Sequence, residues 1–260
     1  MSDKPIIQPT RDGSSTLYSP KFEQPYHSRG GAVAESRVVY FESTGLIEKL
    51  QNGEPLSILE IGFGSGLNLV LLLDYIAKTN SDSKISFAAV DAYPIEPDTA
   101  KNLNFGEELQ YIDYRTILSN IFSNLQPGWN FMKVHDQVEI HLFYGLFDEM
   151  HFPPKPDSSN PFDVVLHDPF SPESNPAGWT SDLFKKIAAH SSKTAILSTY
   201  SAASSGRAAM AVAGWFVARS PGALGKREMT VASLSESPLC HLKRVNEQRL
   251  IERWEARDFG

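Results

Sequence analysis

The stretch LEIGFGSGLN, residues 59–68, joins an apolar segment to three alternating glycines, with one acidic residue directly before them. Glycine lacks a Cβ atom, so it costs conformational entropy on folding but allows another group to approach the backbone closely. The segment SILEIG is typical of a short buried strand, and the apolar run after the glycines predicts a helix over residues 67–78. The stretch therefore predicts a strand, a tight turn and the N-terminus of a helix.

Strand and helix patterns alternate along the rest of the chain. Further strands are expected at residues 85–91, 137–145, 163–167 and 193–201, followed by a closing hairpin of 214–220 and 226–234. Helices are expected at residues 34–50, 98–125, 181–190 with Thr180 as N-cap, and 207–213. This alternation predicts an α/β, Rossmann-like fold with a mostly parallel sheet covered on both faces. Ligands of such sheets bind outside the carboxyl ends of the strands.

Composition limits the class of protein. The 260 residues suit one α/β domain, here divided into an N-terminal arm (1–33), a main domain (34–240) and a C-terminal helical extension (241–260). The net charge of −7 argues against tight, non-specific nucleic-acid binding. One cysteine and no paired histidine spacing argue against a metal site. No membrane span or secretion signal is evident, so a cytoplasmic protein is expected.

The glycine loop carries chemical information beyond the turn. Its spacing is G-x-G-x-G, whereas a dinucleotide-binding fold uses G-x-G-x-x-G. Glu60 precedes the loop and would repel a pyrophosphate but suit a cation. Asp91, at the end of the next strand, could hold the two hydroxyls of a ribose. A ligand with a ribose, a positive charge and no phosphate is S-adenosylmethionine; the alternative is a purely structural strand-to-helix turn.

A second group of residues follows the expected strand at 163–167. Asp168 lies at the tip of this strand and begins the segment DPFSPESNPAGW. The prolines of this segment fix their φ angles and stiffen the loop. Phe170 and Trp179 offer aromatic faces to a base or an amine. Asp168 is therefore a candidate catalytic residue, and the alternative is a carboxylate that caps a loop or helix.

Several motifs resemble one family of enzymes. They are DGSSTLYS, YHSRGGAVAES, LEIGFGSGLN, HDPFSPESNPAGW, LSTYSAASSGRAAMAVAGW and GALGKREM, in that order over residues 10–235. The chain resembles the tRNA (5-methylaminomethyl-2-thiouridine) methyltransferases in their stand-alone form. In bifunctional members of this family the module is fused to an FAD-dependent oxidase domain, which we do not expect in this chain.

The resemblance implies a class I methyltransferase fold, with a seven-stranded sheet, an antiparallel C-terminal hairpin and an N-terminal arm. It implies S-adenosylmethionine-dependent methylation of the 5-aminomethyl group of the wobble uridine in the tRNA anticodon loop. Asp168 would be the catalytic residue. The residues expected at the cofactor are Glu60, Gly62, Gly64, Gly66, Asn68, Asp91, Gly145 and Leu146. Those expected at the substrate or RNA are Phe170, Asn175, Tyr200, Arg207, Lys226 and Arg227.

One position departs from the family pattern. The family usually has an acidic residue after the glycine that ends the third strand, where it would meet the adenine, but Leu146 follows Gly145 here. Adenine recognition would then use backbone groups or Asp148. Two other functions stay open: an alkyltransferase acting on a small amine or polyamine, and a non-catalytic module that binds the cofactor.

Overall fold

The computed structural model describes residues 4–152 and 161–259. A small N-terminal sheet contains β1 (Ile6–Pro9), β2 (Ser15–Ser19) and β3 (Gln24–Pro25). The strands of the large sheet are β4 (Leu56–Ile61), β5 (Ile85–Asp91), β6 (Gly128–His135), β7 (Val138–Tyr144), β8 (Phe162–His167), β9 (Ser191–Thr199), β10 (Phe216–Ser220), β11 (Met229–Ser233) and β12 (Lys243–Arg244).

Helices connect these strands. They are α1 (Ala32–Ser36), α2 (Leu46–Gln51), α3 (Leu67–Thr79), α4 (Pro97–Lys101), α5 (Tyr114–Asn124), α6 (Ser181–Ala189), α7 (Ser204–Val212) and α8 (Glu247–Glu255), with a π-helical segment at Arg37–Glu42 between α1 and α2. In the described part of the chain, no helix is long and apolar enough to cross a membrane.

The large sheet has the order β12-β10-β11-β9-β8-β4-β5-β7-β6. Its five central strands, from β9 to β7, pair in parallel. The β10–β11 hairpin and the strand β6 pair antiparallel. The α/β, Rossmann-like class, with a parallel central sheet and a closing antiparallel hairpin, is therefore confirmed.

The described part of the sheet has nine strands rather than the expected seven, because two edge strands escape the sequence pattern. β6 has no fully buried residue, so its sequence GWNFMKVH lacks the apolar alternation of a half-buried strand. β12 has only two residues and pairs with β10. Edge strands pack on one side only, and their sequences are correspondingly less constrained.

Both faces of the central sheet are covered. All six residues of β4 are buried, as expected for a strand between two helical layers. Ile58 belongs to a cluster on one face with residues of α3, whereas Leu59 belongs to a cluster on the other face with residues of α6. The opposite directions of successive side chains in a strand explain this division. The buried core thereby fixes the carboxyl end of β4, where the glycine loop begins.

Two expected helices are interrupted. The pattern at 34–50 divides into α1, the π-helical segment and α2, with Gly45 in the left-handed region at φ 69°. The pattern at 98–125 contains α4 and α5, separated by Gly106 at φ 79° and by Asp113, which caps α5. Both helices were predicted too long for the same reason. The helical spacing of apolar residues continues across the turns, whereas the glycines and the capping aspartate interrupt the helix. The expected N-cap of α6 is confirmed, because Thr180 accepts a hydrogen bond from the Leu183 amide.

The N-terminal sheet packs beside the carboxyl end of the large sheet. Two hydrogen bonds join β2 to the segment after α4. The Ser15 amide donates to the Asn104 carbonyl at 2.5 Å, and the Asn104 amide donates to the Ser15 hydroxyl at 2.8 Å. At the other end of the chain, β12 adds to the sheet and α8 packs near α7. The boundaries 1–33, 34–240 and 241–260 remain a prediction.

Candidate active site

A cavity of about 620 Å³ opens at the carboxyl ends of the parallel strands. Its wall combines the loops after β4, β5, β7 and β8 with the N-terminal segment that contains β3. Twelve of the sequence-predicted site residues line it: Glu60, Gly62, Gly64, Asn68, Asp91, Gly145, Leu146, Asp168, Phe170, Asn175, Tyr200 and Lys226. The structure thus brings most of the predicted residues to one site.

The three glycines of the loop have positive φ angles, at 91° for Gly62, 55° for Gly64 and 76° for Gly66. L-residues rarely adopt this region, so the turn itself favours glycine at all three positions. The backbone is held in place from β5, because the amides of Gly62 and Phe63 both donate to the Val90 carbonyl. The Gly64 amide donates to the Asp91 carboxylate at 2.6 Å.

Each glycine is approached by a different group. A Cβ atom on Gly62 would lie 2.6 Å from the carbonyl oxygen of Asp168, and one on Gly66 would lie 2.4 Å from Leu118. On Gly64 it would lie 3.2 Å from the Tyr26 ring. Gly66 therefore faces the core rather than the cavity, so the prediction that it contacts the cofactor is not supported by its position.

Glu60 and Asn68 form a buried polar pair beside the loop. The Asn68 amide nitrogen donates to Oε1 of Glu60 at 2.7 Å. The second carboxylate oxygen of Glu60 and the Oδ1 of Asn68 have no partner within the protein. Burial raises the pKa of Glu60 well above its usual range. Two unpaired acceptors beside a cavity, one of them on a desolvated carboxyl group, would suit a cationic donor.

Asp91 is held by backbone amides at the end of β5. Its two oxygens accept from Gly64 at 2.6 Å and from Tyr93 at 2.7 Å. Burial raises its pKa, and these two hydrogen bonds lower it. Each carboxylate oxygen can accept a second hydrogen bond. Asp91 can therefore still receive two hydroxyl groups from the cavity.

The loop after β7 borders the same cavity. The Gly145 amide donates to the Asp91 carbonyl at 3.0 Å, which places Leu146 at the rim with half of its surface exposed. Asp148 also lines the cavity. A carboxylate oxygen of Glu149 lies 3.4 Å from the Leu146 amide. Acidic groups thus stand next to the position where the family usually has its acid.

Asp168 projects from the end of β8, and its amide donates to the Ile61 carbonyl at 2.8 Å. Burial holds the pKa of its carboxyl group well above the usual range; Glu35 adds to this rise, whereas Tyr40 and Lys226 oppose it. The buried Tyr40 hydroxyl faces Asp168 but falls short of a regular hydrogen-bond geometry. Tyr40 lies on the π-helical segment, a type of distortion that often occurs at functional sites.

Sequence reasoning missed Glu35 and Tyr40 because they lie far from Asp168 in the chain. The available signal was the motif YHSRGGAVAES, which contains Glu35 and was used only for the resemblance. Glu35 is nearly buried, lines the cavity and forms an ion pair with Lys226 at 2.6 Å.

Aromatic side chains form another part of the cavity wall. Phe170 stacks on Phe22 with ring centroids 4.4 Å apart and meets the edge of Tyr26 at 5.1 Å. The Tyr200 hydroxyl donates to the Pro169 carbonyl at 2.9 Å. Phe22 and Tyr26 belong to the N-terminal segment, so this segment completes the site. The sequence predicted an N-terminal arm packed on the core, but not that Phe22 and Tyr26 line the site.

Arg207 and Arg227 do not line this cavity. Arg207 is buried; its Nε donates to the Thr230 hydroxyl at 2.9 Å, and its guanidinium pairs with Glu228 at 3.3 Å. It therefore supports the β10–β11 hairpin, and its burial does not favour the predicted contact with RNA. Arg227 is exposed and lines an adjoining cavity of about 580 Å³, which shares Lys226 with the first.

A sequence model of S-adenosyl-L-methionine-dependent methyltransferases matches residues 115–235. This match covers α5, the β7 and β8 loops, Asp168 and the β10–β11 hairpin. The chain is similar to this methyltransferase family over these residues, just under half of its length. The enzyme class and the cofactor expected from the glycine loop are thereby confirmed.

Curated relatives agree with the resemblance described above. The chain is 28% identical over 225 residues to the tRNA 5-methylaminomethyl-2-thiouridine biosynthesis bifunctional protein MnmC of Hydrogenovibrio crunogenus, with 84% of this chain and 32% of that protein covered. It is 29% identical over 222 residues to the protein of the same name from Aromatoleum aromaticum, with 85% and 34% covered. The chain therefore spans about a third of the length of these relatives.

A solved structure shares the fold. The crystal structure of MNMC2 from Aquifex aeolicus superposes with a TM-score of 0.71 and 24% sequence identity, covering 96% of this chain and 81% of that one. The likeness extends over nearly the whole chain, so it includes the N-terminal segment as well as the sheet.

Proposed function

We propose that this methyltransferase transfers the methyl group of S-adenosylmethionine to the primary amine of 5-aminomethyluridine at the wobble position of tRNA. The names of the relatives support this substrate, as do the motifs around Asp168 and Lys226. The observation that carries the proposal is the position of Asp168. Its carboxyl group lies in the same cavity as the glycine loop, Glu60 and Asp91. The names of the relatives also favour a tRNA substrate over a polyamine.

The polar groups of the cavity suit S-adenosylmethionine. The unpaired oxygens of Glu60 and Asn68 would accept hydrogen bonds from the methionine ammonium group. Asp91 would bind the ribose hydroxyls, with the Tyr26 ring beside Gly64 next to them. The cofactor supplies an activated methyl group on a sulfonium, so the protein needs chiefly to position the acceptor amine.

Asp168 would orient the amine and accept its proton. A protonated amine has no lone pair and cannot attack a methyl group, so one proton must leave before or during the transfer. A carboxyl group whose pKa is raised by burial is a better proton acceptor than an ordinary aspartate. The positive charges of the sulfonium and the ammonium would favour the ionised form of Asp168 when both ligands are bound.

The uracil ring would lie against the aromatic wall. Phe170 and Tyr200 line the cavity next to Asp168, and Asn175 offers an amide for hydrogen bonding. A base from a single-stranded loop leaves its stack at low cost, so a cavity of this size suffices for recognition.

Mass spectrometry of tRNA nucleosides tests the proposal. The protein is incubated with methyl-labelled S-adenosylmethionine and tRNA that carries 5-aminomethyl-2-thiouridine. The expected product is 5-methylaminomethyl-2-thiouridine that contains the label, and a protein with Asp168→Asn is expected to form it at least about 100-fold more slowly. Binding of the cofactor without label in any tRNA nucleoside would instead indicate a non-catalytic binding module. Label in spermidine but not in tRNA would indicate a polyamine alkyltransferase.

A further inference from the structure

An ion pair borders the cavity next to Asp168. Glu35 comes from α1, and Lys226 comes from the turn between β10 and β11. Their Oε1 and Nζ atoms are 2.6 Å apart, and both residues line the cavity. The side chain of Glu35 is 8% exposed and that of Lys226 is 43% exposed. The pair thus extends from the interior of the protein to its surface, in the cavity that Asp168 also lines.

Both oxygens of Glu35 are engaged. The Ser28 amide donates to Oε2 at 2.6 Å, while Lys226 occupies Oε1. The carboxylate therefore has one fixed orientation. A nearly buried carboxylate without a cation would be costly, so the ammonium of Lys226 is bound to this position rather than free to follow RNA phosphates. The ammonium also lies 5.4 Å from the centroid of the Tyr200 ring.

Charged and titratable groups surround Asp168 from five parts of the fold. They are Tyr40 on the π-helical segment, Glu35 on α1, Glu60 at the end of β4, Tyr200 after β9 and Lys226 after β10. His27 lines the same cavity, and burial lowers its pKa to about 4, so its imidazole is neutral at physiological pH. Lys226 supplies a positive charge to this group of side chains, and Glu35 supplies the negative charge that holds it there.

We propose that Glu35 and Lys226 form a positioning pair, which sets the pH range over which Asp168 exchanges its proton. Neither residue needs to touch the reacting atoms. Lys226 stabilises the ionised form of Asp168, which can accept a proton. Glu35 holds Lys226 in place, and its own negative charge partly offsets the effect of Lys226 on Asp168. This inference rests on the proposed role of Asp168 in methyl transfer, but its test requires no substrate.

Removal of either partner should move the protonation of Asp168 in opposite directions. Glu35→Gln keeps the shape of the side chain and an amide oxygen that can still accept from Lys226, and it removes a negative neighbour, so the pKa of Asp168 should fall. Lys226→Met keeps the length of the side chain and removes a positive neighbour, so the pKa should rise. Opposite charges at close range shift a carboxyl pKa by about one unit or more.

Carbon-13 NMR of protein with labelled aspartate carboxyl groups measures this pKa directly. The Asp168 signal is assigned by its absence in Asp168→Asn. The midpoint should fall in Glu35→Gln and rise by about one unit in Lys226→Met. Arg227→Met serves as the matched control, because it removes the neighbouring cation from the adjoining cavity. Its midpoint should stay within about 0.2 units of the wild type.

The proposal is wrong if both variants shift the midpoint in the same direction, or by no more than the Arg227→Met control. Should Lys226→Met not fold, Glu35→Gln alone decides, because a neutral glutamine leaves no unpaired buried charge. The titration is independent of methyl transfer: a wild type without activity would refute the proposed function and leave this test intact. In an active enzyme, the acid limb of the pH–rate profile should move in the same two directions. A merely structural pair would lower the rate without moving that limb.

Discussion

The substitution Gly62→Ala tests how the glycine loop and the catalytic loop are joined. The new Cβ atom would lie 2.6 Å from the carbonyl oxygen of Asp168 and 3.2 Å from the nitrogen of Pro169. These are backbone atoms, so they cannot rotate away as a side chain could. The φ of 91° adds a conformational cost of about 1–2 kcal/mol, and the overpacking adds about 1–3 kcal/mol. The expected loss of unfolding free energy is therefore about 2–5 kcal/mol.

Gly214→Ala is the matched control. Gly214 has nearly the same φ, 88°, but a Cβ atom there would have no neighbour within 4 Å. It should lose only the conformational cost, about 1–2 kcal/mol. Urea denaturation followed by circular dichroism gives both free energies, and methyl transfer should be lowered in Gly62→Ala only. Equal losses of stability and activity in the two variants would refute the reasoning that the Asp168 backbone requires a glycine at position 62.

Three further predictions concern the wall of the cavity. Burial raises the pKa of Asp168, so its protonated carboxyl group contributes fully to stability below the pKa that it has in the unfolded chain, and this contribution is lost as pH rises through its pKa in the folded protein. Asp168→Asn should therefore raise the melting temperature of the free protein at pH 7.5 but not near pH 4. Melting temperatures equal to those of the wild type at both pH values would contradict this. Gln24 and Ser171 form two hydrogen bonds, at 2.8 and 3.2 Å. Gln24→Ala should therefore speed amide hydrogen exchange of residues 20–26 about tenfold. Unchanged exchange would show that these hydrogen bonds do not hold the N-terminal segment in place. Arg227→Ala should weaken tRNA binding and reduce the slope of log affinity against log salt concentration by about one. Arg207→Ala should lower the stability of the protein without changing that slope. The reverse outcome would place the RNA on the other side of the β10–β11 hairpin.

The central strands were predictable because a sheet covered on both faces requires continuous apolar segments. The expected strand at 85–91 matches Ile85–Asp91, and the fourth expected strand differs from Phe162–His167 by one residue. Strand β6 was missed because it lies at the edge, where one-sided packing leaves no clear pattern. Helix 98–125 was overextended because hydrophobic periodicity does not register the turn at Gly106.

The part of the site that lies in short sequence motifs was predictable. Glu60 and Asp91 lie at the carboxyl ends of β4 and β5, and Asp168 follows β8; parallel pairing brings the ends of these three strands together. Glu35 and Tyr40 could not be assigned in this way, since only the tertiary fold brings α1 and the π-helical segment to Asp168. For the same reason, the sequence did not distinguish the buried Arg207 from the exposed Arg227.

The most direct test of the account compares methyl transfer by Asp168→Asn with transfer by Asp148→Asn. Both carboxylates line the same cavity, but only Asp168 lies next to Tyr40, Glu35 and Lys226. Single-turnover rates are measured at saturating S-adenosylmethionine, with tRNA that carries 5-aminomethyl-2-thiouridine, across a range of pH. We predict a loss of about 100-fold or more for Asp168→Asn at neutral pH, partly recovered at high pH, and little change for Asp148→Asn. Equal rates for the two variants at neutral pH would contradict the assignment of Asp168 as the proton acceptor.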